Sequence, residues 1–338
     1  MLPRLPAPSA VALKRAEALP LDYWQHVGDP LADLLSTIYP LEDAATLLSL
    51  LSYEAEQGQL LCEQFLASGE LRPPRWHEPK FTADLEAWLT FTQQFPLAVR
   101  LAWQAGAGLR LLSQPRWAMI LPGTPEPLRR LMQHIDAILL TPTPPAAGDI
   151  LLLRLELAIL RRDAEDDGRI RGLAGVALAQ TDLAGLVICL AEELARALHG
   201  LGFSLDPRQR QGLRHWAAGL GQALGLEPIW LATGEDDSLA LRQVLVRPPS
   251  NVAVTPVHQW LRTVAAADTL PAAERRTLAL ARSLLDPLVA DTLDLPRDRL
   301  AGLWRRAGSW FIEKGLPLAG QAEAIRNLQR KAMGSSPA

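Results

Sequence analysis

Cysteine is almost missing from this 338-residue chain. Cys62 and Cys189 are the only two, they lie far apart, and neither belongs to a CxxC pair. That excludes a disulfide framework and a cysteine zinc site, and it points to a reducing compartment. Charge of one sign is missing too: the net charge of −3 at pH 7 offers no cationic surface for nucleic acid or an anionic membrane. No apolar run reaches the roughly 18 residues of a membrane span. The longest candidate, "LAGLVICLA" (183–191), stops at Glu192 and Glu193. The opening "MLPRLPAPSAVALKRAEALP" places prolines where a signal peptide needs an unbroken apolar stretch. A cytoplasmic protein without an integral membrane span is expected.

β-Branched residues are sparse and no alternating strand pattern appears, whereas Leu, Ala, Arg and Glu recur at helical spacing. With 49% hydrophobic and 21% charged residues, the chain can bury a sizeable core. Start and stop signals predict helices near 30–38, 41–69, 82–94, 97–113, 124–140, 148–162, 235–245, 297–313 and 319–332. Thr181 is expected to cap a helix ending at Gly200 and Gly202. Asp206 with Pro207 opens another that Gly225 and Pro228 close, and Thr255 with Pro256 opens a third. Pro287 should split the segment 270–296. No internal repeat or flexible linker divides the chain. The expectation is therefore a flexible N-terminal arm (1–18), one large all-α domain (19–332) and a C-terminal tail (333–338).

Catalytic signatures are few. The six histidines, His26, His77, His134, His199, His215 and His258, form no HxxxH or HExxH pair. No GxSxG elbow is present. The Gly-x-Gly of "GAGLRLL" (106–112) sits in a helical pattern with no preceding strand, so it does not read as a phosphate loop. Trp304 and Trp310 in "LWRRAGSWF" are six apart and share no face, which favours a core role over a docking surface.

What remains is an apolar helical body with a few inward cations. In "RLELAILR" (154–161), Arg154, Leu157 and Arg161 fall on one helical face, and the flanking "DILLLRLELAIL" is apolar almost all round. A buried arginine needs an anion; a cofactor propionate or substrate carboxylate would serve. In "LRRLMQHIDAILL" (128–140), Arg130, His134 and Ala137 share a face at i, i+4 and i+7.

"RLELAILR", "GVALAQTDLAGL" (175–186) and "LGFSLDPRQRQGLRHWAAGLGQALGLEP" (201–228) follow one another as in the latex-clearing-protein (rubber oxygenase) and mpaB-like oxygenase family. "GDPLADLL" (28–35) and "LLDPLVADTLDLP" (284–296) extend this resemblance. It implies a single large orthogonal helical domain around haem b, acting with molecular oxygen on a small hydrophobic, unsaturated, isoprenoid-like molecule. In that family the first block resembles R-L-M-H-x-x-x-R, and its histidine binds the iron. Arg154 and Arg161 match the flanking arginines, but the ligand position falls on Leu157, which has no lone pair. Arg130 matches the arginine of a distal R-x-x-K-T pattern, with Gln133 and His134 in place of its lysine and threonine. The resemblance thus implies Arg130 and His134 as catalytic residues, with Arg154, Leu157, Arg161 and His215 lining the cofactor. If haem is kept, His134 is its first candidate iron ligand and His215 the second. The alternative is a haem-free descendant that binds an apolar molecule with an acidic group and performs no redox chemistry, with Leu157 filling the space of the imidazole.

Overall fold

The computed structural model describes residues 5–297 apart from 70–73, 121–124, 142, 172–173, 233, 248, 250–253 and 267–272. Among the described residues every regular element is helical. The front of the chain forms α1 (Ala10–Glu17), the single turn α2 (Leu21–Trp24), α3 (Pro30–Ile38), α4 (Ala44–Glu56) and α5 (Leu60–Ser68). The middle forms α6 (Thr82–Gln94), α7 (Pro96–Ala102), α8 (Gly108–Leu112), α9 (Pro115–Ile120), α10 (Pro125–Leu140) and α11 (Ala147–Asp166). The rear forms α12 (Gln180–Ile188), α13 (Leu194–Gly200), α14 (Pro207–Ala223), α15 (Glu235–Leu245), α16 (Val254–Ala266), α17 (Ala273–Leu284) and α18 (Pro287–Thr292). Wide π-helical turns at Trp103–Ala107 and Cys189–Glu193 join α7 to α8 and α12 to α13.

Local chemistry explains most boundaries. Asp206 accepts from the Gln209 backbone N–H while Gln209 Oε1 accepts from the Asp206 N–H, with Pro207 at the first helical position. Asp286 caps α18 and Pro287 opens it, so the chain divides there as expected. Three expectations need correction. The stretch 41–69 is two helices, because Gly58 turns left-handed at φ +83° and ends the first. The helix expected to start at Thr181 begins at Gln180, and the Asp182 carboxylate, not Thr181, accepts the Ala179 N–H. Within the expected arm 1–18, Ala10–Glu17 forms α1, which buries Ala12 and Ala16 and pairs Arg15 with Asp237 on α15. The helices expected at 297–313 and 319–332, with Trp304, Trp310 and the tail 333–338, lie outside the described residues.

Six of the ten tryptophans, Trp88, Trp103, Trp117, Trp216, Trp230 and Trp260, are fully buried. The Gly-x-Gly of 106–108 also serves packing: a Cβ at Gly106 would lie 2.5 Å from the Ala197 methyl, and one at Gly108 would lie 2.9 Å from Trp260. Two apolar cores form. The larger joins the middle and rear helices, and the smaller joins α3, α4, α5 and one face of α11. α11 divides them. Leu153, Leu157 and Leu160 belong to the large core, and Leu151, Leu155 and Ile159 to the small one. A helix that is apolar on both sides is a central helix, as the sequence of this segment implies.

Candidate functional site

Two polar seams run along α11 between its apolar faces. The first carries Arg154 and Arg161, 8% and 4% exposed. Arg154 meets Asp29 in a two-toothed pair, Nε to Oδ2 at 2.8 Å and Nη2 to Oδ1 at 3.1 Å. Its Nη1 donates to Ser68 Oγ at 2.7 Å, and its guanidinium lies 5.1 Å from the Phe65 ring centre. Arg161 pairs with Asp33 and donates to the carbonyls of Ala177 (2.6 Å) and Leu178 (2.8 Å). Those carbonyls stand ready because the loop before α12 is laid against 25–27, with Val176 N donating to Gln25 O and Gln180 N to Val27 O. Leu178 there is buried in a left-handed conformation, φ +47°. Asp29 and Asp33 are one turn apart in "GDPLADLL", at the start of α3, so they meet two arginines two turns apart on α11.

This geometry corrects the expected role of the arginines. The anions they hold are the chain's own, and every guanidinium nitrogen of both residues is already bonded. Leu157 is 3% exposed and packed in the large core. A cleft of about 570 Å³ opens beside Arg161, lined by His26, Asp33, Arg162, Glu165 and Asp166 among others. Its wall is charged, and it suits a polar guest rather than an apolar one.

The second seam faces α10. Glu156, 0% exposed, receives Arg130 Nε on Oε1 at 3.1 Å. His134 Nε2 lies 3.9 Å from Oε2, too far for a hydrogen bond, and Oε2 has no partner. Burial pushes the Glu156 carboxyl up to about 7, against the pull of Arg130. Burial also holds the His134 imidazole below its ordinary value. Arg130 and His134 keep 17% and 22% of their side chains exposed, so this seam reaches the surface. Asp43, the cap of α4, and Asp149, in the first turn of α11, contribute negative charge around His134. A second cleft, about 630 Å³, lies over the C-terminal half of α10, lined by Arg100, Gln133, Asp136, Ala137, Leu140 and Thr141. Asp136 at its floor bonds Gln104 at 2.6 Å, and burial raises its carboxyl to about 6.

His215 belongs elsewhere. Its ring stacks on Phe81 at 3.9 Å between centres, its Nε2 is 3.0 Å from the Gln211 amide, and Asp84 lies 3.8 Å away. None of these neighbours is on α10 or α11. The structure therefore unites Arg130 with His134, separates them from the Arg154–Arg161 seam, and leaves His215 in the α6–α14 layer. Glu156, Asp29 and Asp33 were not singled out by the sequence. The available signals were a carboxylate alone on a helix apolar almost all round, and two aspartates at i and i+4. A further buried network surrounds Glu192 and Glu193 on the π turn: Glu192 meets Arg214 at 2.7 Å and Ser238 at 2.6 Å, and Glu193 meets Arg242 at 2.7 Å and Arg196 at 3.0 Å. All four partners are internal, which reads as a structural network.

The described residues do not fit a haem held as the family resemblance implies. Both arginines are already paired with carboxylates of the chain, Leu157 offers no lone pair, and the two candidate histidines face different surroundings. Among the described residues, no group of three or more His, Cys, Asp or Glu side chains is placed to hold a metal ion, and no helix is long and apolar enough to cross a membrane.

No family model and no curated protein matches this chain. Among solved structures, that of latex clearing protein in the closed state is similar at a TM-score of 0.61 and 16% identity, over 90% of each chain. At that identity the likeness carries the architecture alone. In fold, this chain is similar to latex clearing protein.

Proposed function

We propose that the protein works without haem and binds a small amphipathic molecule with an acidic group at the seam of α10 and α11, performing no redox chemistry. One observation carries this reading: a carboxylate oxygen of Glu156 sits buried and unpartnered between Arg130 and His134, at a seam that reaches the surface. Buried polar atoms without partners are uncommon in native structures, and a guest that supplies the missing hydrogen bond is a direct physical explanation. Arg130 would meet the acidic group, and Glu156 and His134 would hold the proton inventory around it. Leu157, with the arginines already paired to Asp29 and Asp33, supports the absence of haem from this reading.

The test is a titration of the full chain with decanoate, followed by calorimetry, next to an absorption spectrum of the freshly purified protein. Saturable binding, weakened at least tenfold in Arg130→Gln, with no Soret band after growth with haem supplied, is the expected result. A second reading, an oxygenase with His134 on haem iron, draws on the fold likeness alone. A Soret band that His134→Ala abolishes would replace the first reading with it.

A further inference from the structure

The buried network on the second π turn is satisfied on one half only. Glu192 takes Arg214 on both oxygens, at 2.7 Å and 3.3 Å, and the Ser238 hydroxyl donates to the first. Glu235, half exposed, adds a second carboxylate 3.3 Å from Arg214. Glu193, the next residue, is instead shared by three guanidiniums. Arg196 on α13 holds Nε 3.0 Å from its Oε2, and Arg242 on α15 donates Nε to its Oε1 at 2.7 Å. Arg110 on α8 donates to Ser113 Oγ and to the carbonyls of Val246 and Arg247, all uncharged. Burial by itself raises the Glu193 carboxyl, but Arg196, Arg242 and Arg110 together hold it below its ordinary value, so it is ionised. Burial pushes the Cys189 thiol up to about 12, so it stays neutral and brings no second negative charge. Three cations thus meet one anion, and Arg196 and Arg242 both oppose the charge on Arg110.

The imbalance is felt at Arg196. Its side chain is 7% exposed, yet among the described residues none of its nitrogens makes a hydrogen bond, because the contact with Glu193 is misaligned. Its Nε is sealed from solvent, whereas Nη1 and Nη2 are not. Buried arginines nearly always have their donors met, since an unmet buried cation is costly. Arg242 spends Nε and Nη2 on a single Glu193 oxygen and, at 24% exposed, brings the cluster to the surface. Guanidinium forks match the oxygens of phosphate as well as those of carboxylate. A phosphate monoester carries about −1.5 to −2 at pH 7, which suits this excess of positive charge better than the single charge of a carboxylate.

We propose that Arg196 and Arg242 form a binding site for a terminal phosphate group, with Arg110 contributing positive charge. The Nη groups of Arg196 donate to the ligand, and Arg242 meets it from the surface side. The ligand class is inorganic phosphate or a phosphate monoester, free in solution or as a lipid headgroup. The site is built from α8, α13, α15 and the π turn. It shares no residue with the α10–α11 seam, so the two readings stand or fall separately.

The experiment is isothermal titration calorimetry of sodium phosphate into the full chain, in HEPES with physiological sodium chloride. A second arm mixes the protein with phosphatidylcholine vesicles with and without phosphatidate. Saturable binding of phosphate is expected, weakened about tenfold or more in Arg196→Gln. Lys80→Gln, at an exposed cation elsewhere, should leave it unchanged. Binding to phosphatidate vesicles alone, lost in Arg196→Gln, would assign the phosphate to a headgroup. Phenylglyoxal labelling of the wild type, read by peptide mass spectrometry, needs no variant. Phosphate or phosphatidate should slow modification of Arg196 and Arg242 relative to the exposed Arg210. No binding in either arm overturns the proposal. So does binding that Arg196→Gln leaves unchanged, or labelling of Arg196 that neither phosphate nor phosphatidate slows.

Discussion

The two polar seams of α11 contain the same kinds of groups and end in opposite conditions. On one, Arg154 and Arg161 are matched by Asp29 and Asp33, and a serine and two carbonyls accept from the remaining guanidinium nitrogens. On the other, a buried glutamate shares one arginine nitrogen at 3.1 Å, and its second oxygen faces a histidine 3.9 Å away. The closed seam ties α11 to α3 and to the loop before α12. The open seam has an unmet acceptor, and its Arg130 and His134 are partly exposed. Cationic side chains in an apolar helix therefore do not mark a site by themselves.

The contrast can be broken or sharpened by experiment. The largest effect is expected from Asp29→Ala, which strands the Arg154 charge in the interior and should cost about 3–5 kcal/mol in denaturant unfolding. The pair Asp29→Leu with Arg154→Leu should recover most of that loss. A small effect of Asp29→Ala would mean the closed seam is not the structural tie described here.

Next comes Leu157, where alanine should cost about 2–5 kcal/mol by leaving a cavity. Leu157→His should bring no Soret band, because the arginines beside it stay paired to Asp29 and Asp33. A haem spectrum in that variant would reopen the seam as a cofactor site.

The third effect is the pH dependence that Glu156 contributes. Folding raises the Glu156 carboxyl from its ordinary value of 4.5 to about 7. The unfolded chain therefore releases this proton first as pH rises. The contribution of Glu156 is intact below pH 4.5, falls away as pH rises from 4.5 to 7, and is flat above, a total of about 3 kcal/mol. Asp136 acts in the same direction between 3.8 and about 6. The readout is thus the difference between the wild type and Glu156→Gln, in which the Glu156 part of the slope should vanish. Equal slopes in the two proteins would place the proton elsewhere. The smallest effect is Ser68→Ala, which removes one acceptor from Arg154 and should cost about 1.5 kcal/mol in thermal unfolding.

Much of the helical framework was legible from short signals. Asp206 with Pro207, Asp286 with Pro287, and the apolar periodicity of α3, α6 and α15 each act within one or two turns of chain. Errors fell where a local signal had a competitor. Gly58 could pass as a weak interior glycine until its positive φ ended α4. Thr181 lost the capping role to Asp182, whose carboxylate reaches the Ala179 N–H one turn back. α1 is too short to stand alone and owes its place to α15. At the site, the i, i+4 pairing of Arg130 with His134 was visible. Glu156 lies 26 residues from Arg130, and Asp29 and Asp33 lie 125 and 128 residues from their arginines.

By itself, the order of residues determined that this protein is helical, that α11 lies at its centre, and that Arg130 and His134 share a face. Backbone hydrogen bonding and apolar periodicity are properties of neighbouring residues, so they can be read along the chain. Only the tertiary structure decided which buried charges are neutralised and which carboxylates, Glu156 and Asp136, are left with an unmet oxygen. Electrostatic pairing depends on distance in space, and the partners of α11 come from helices far removed in sequence.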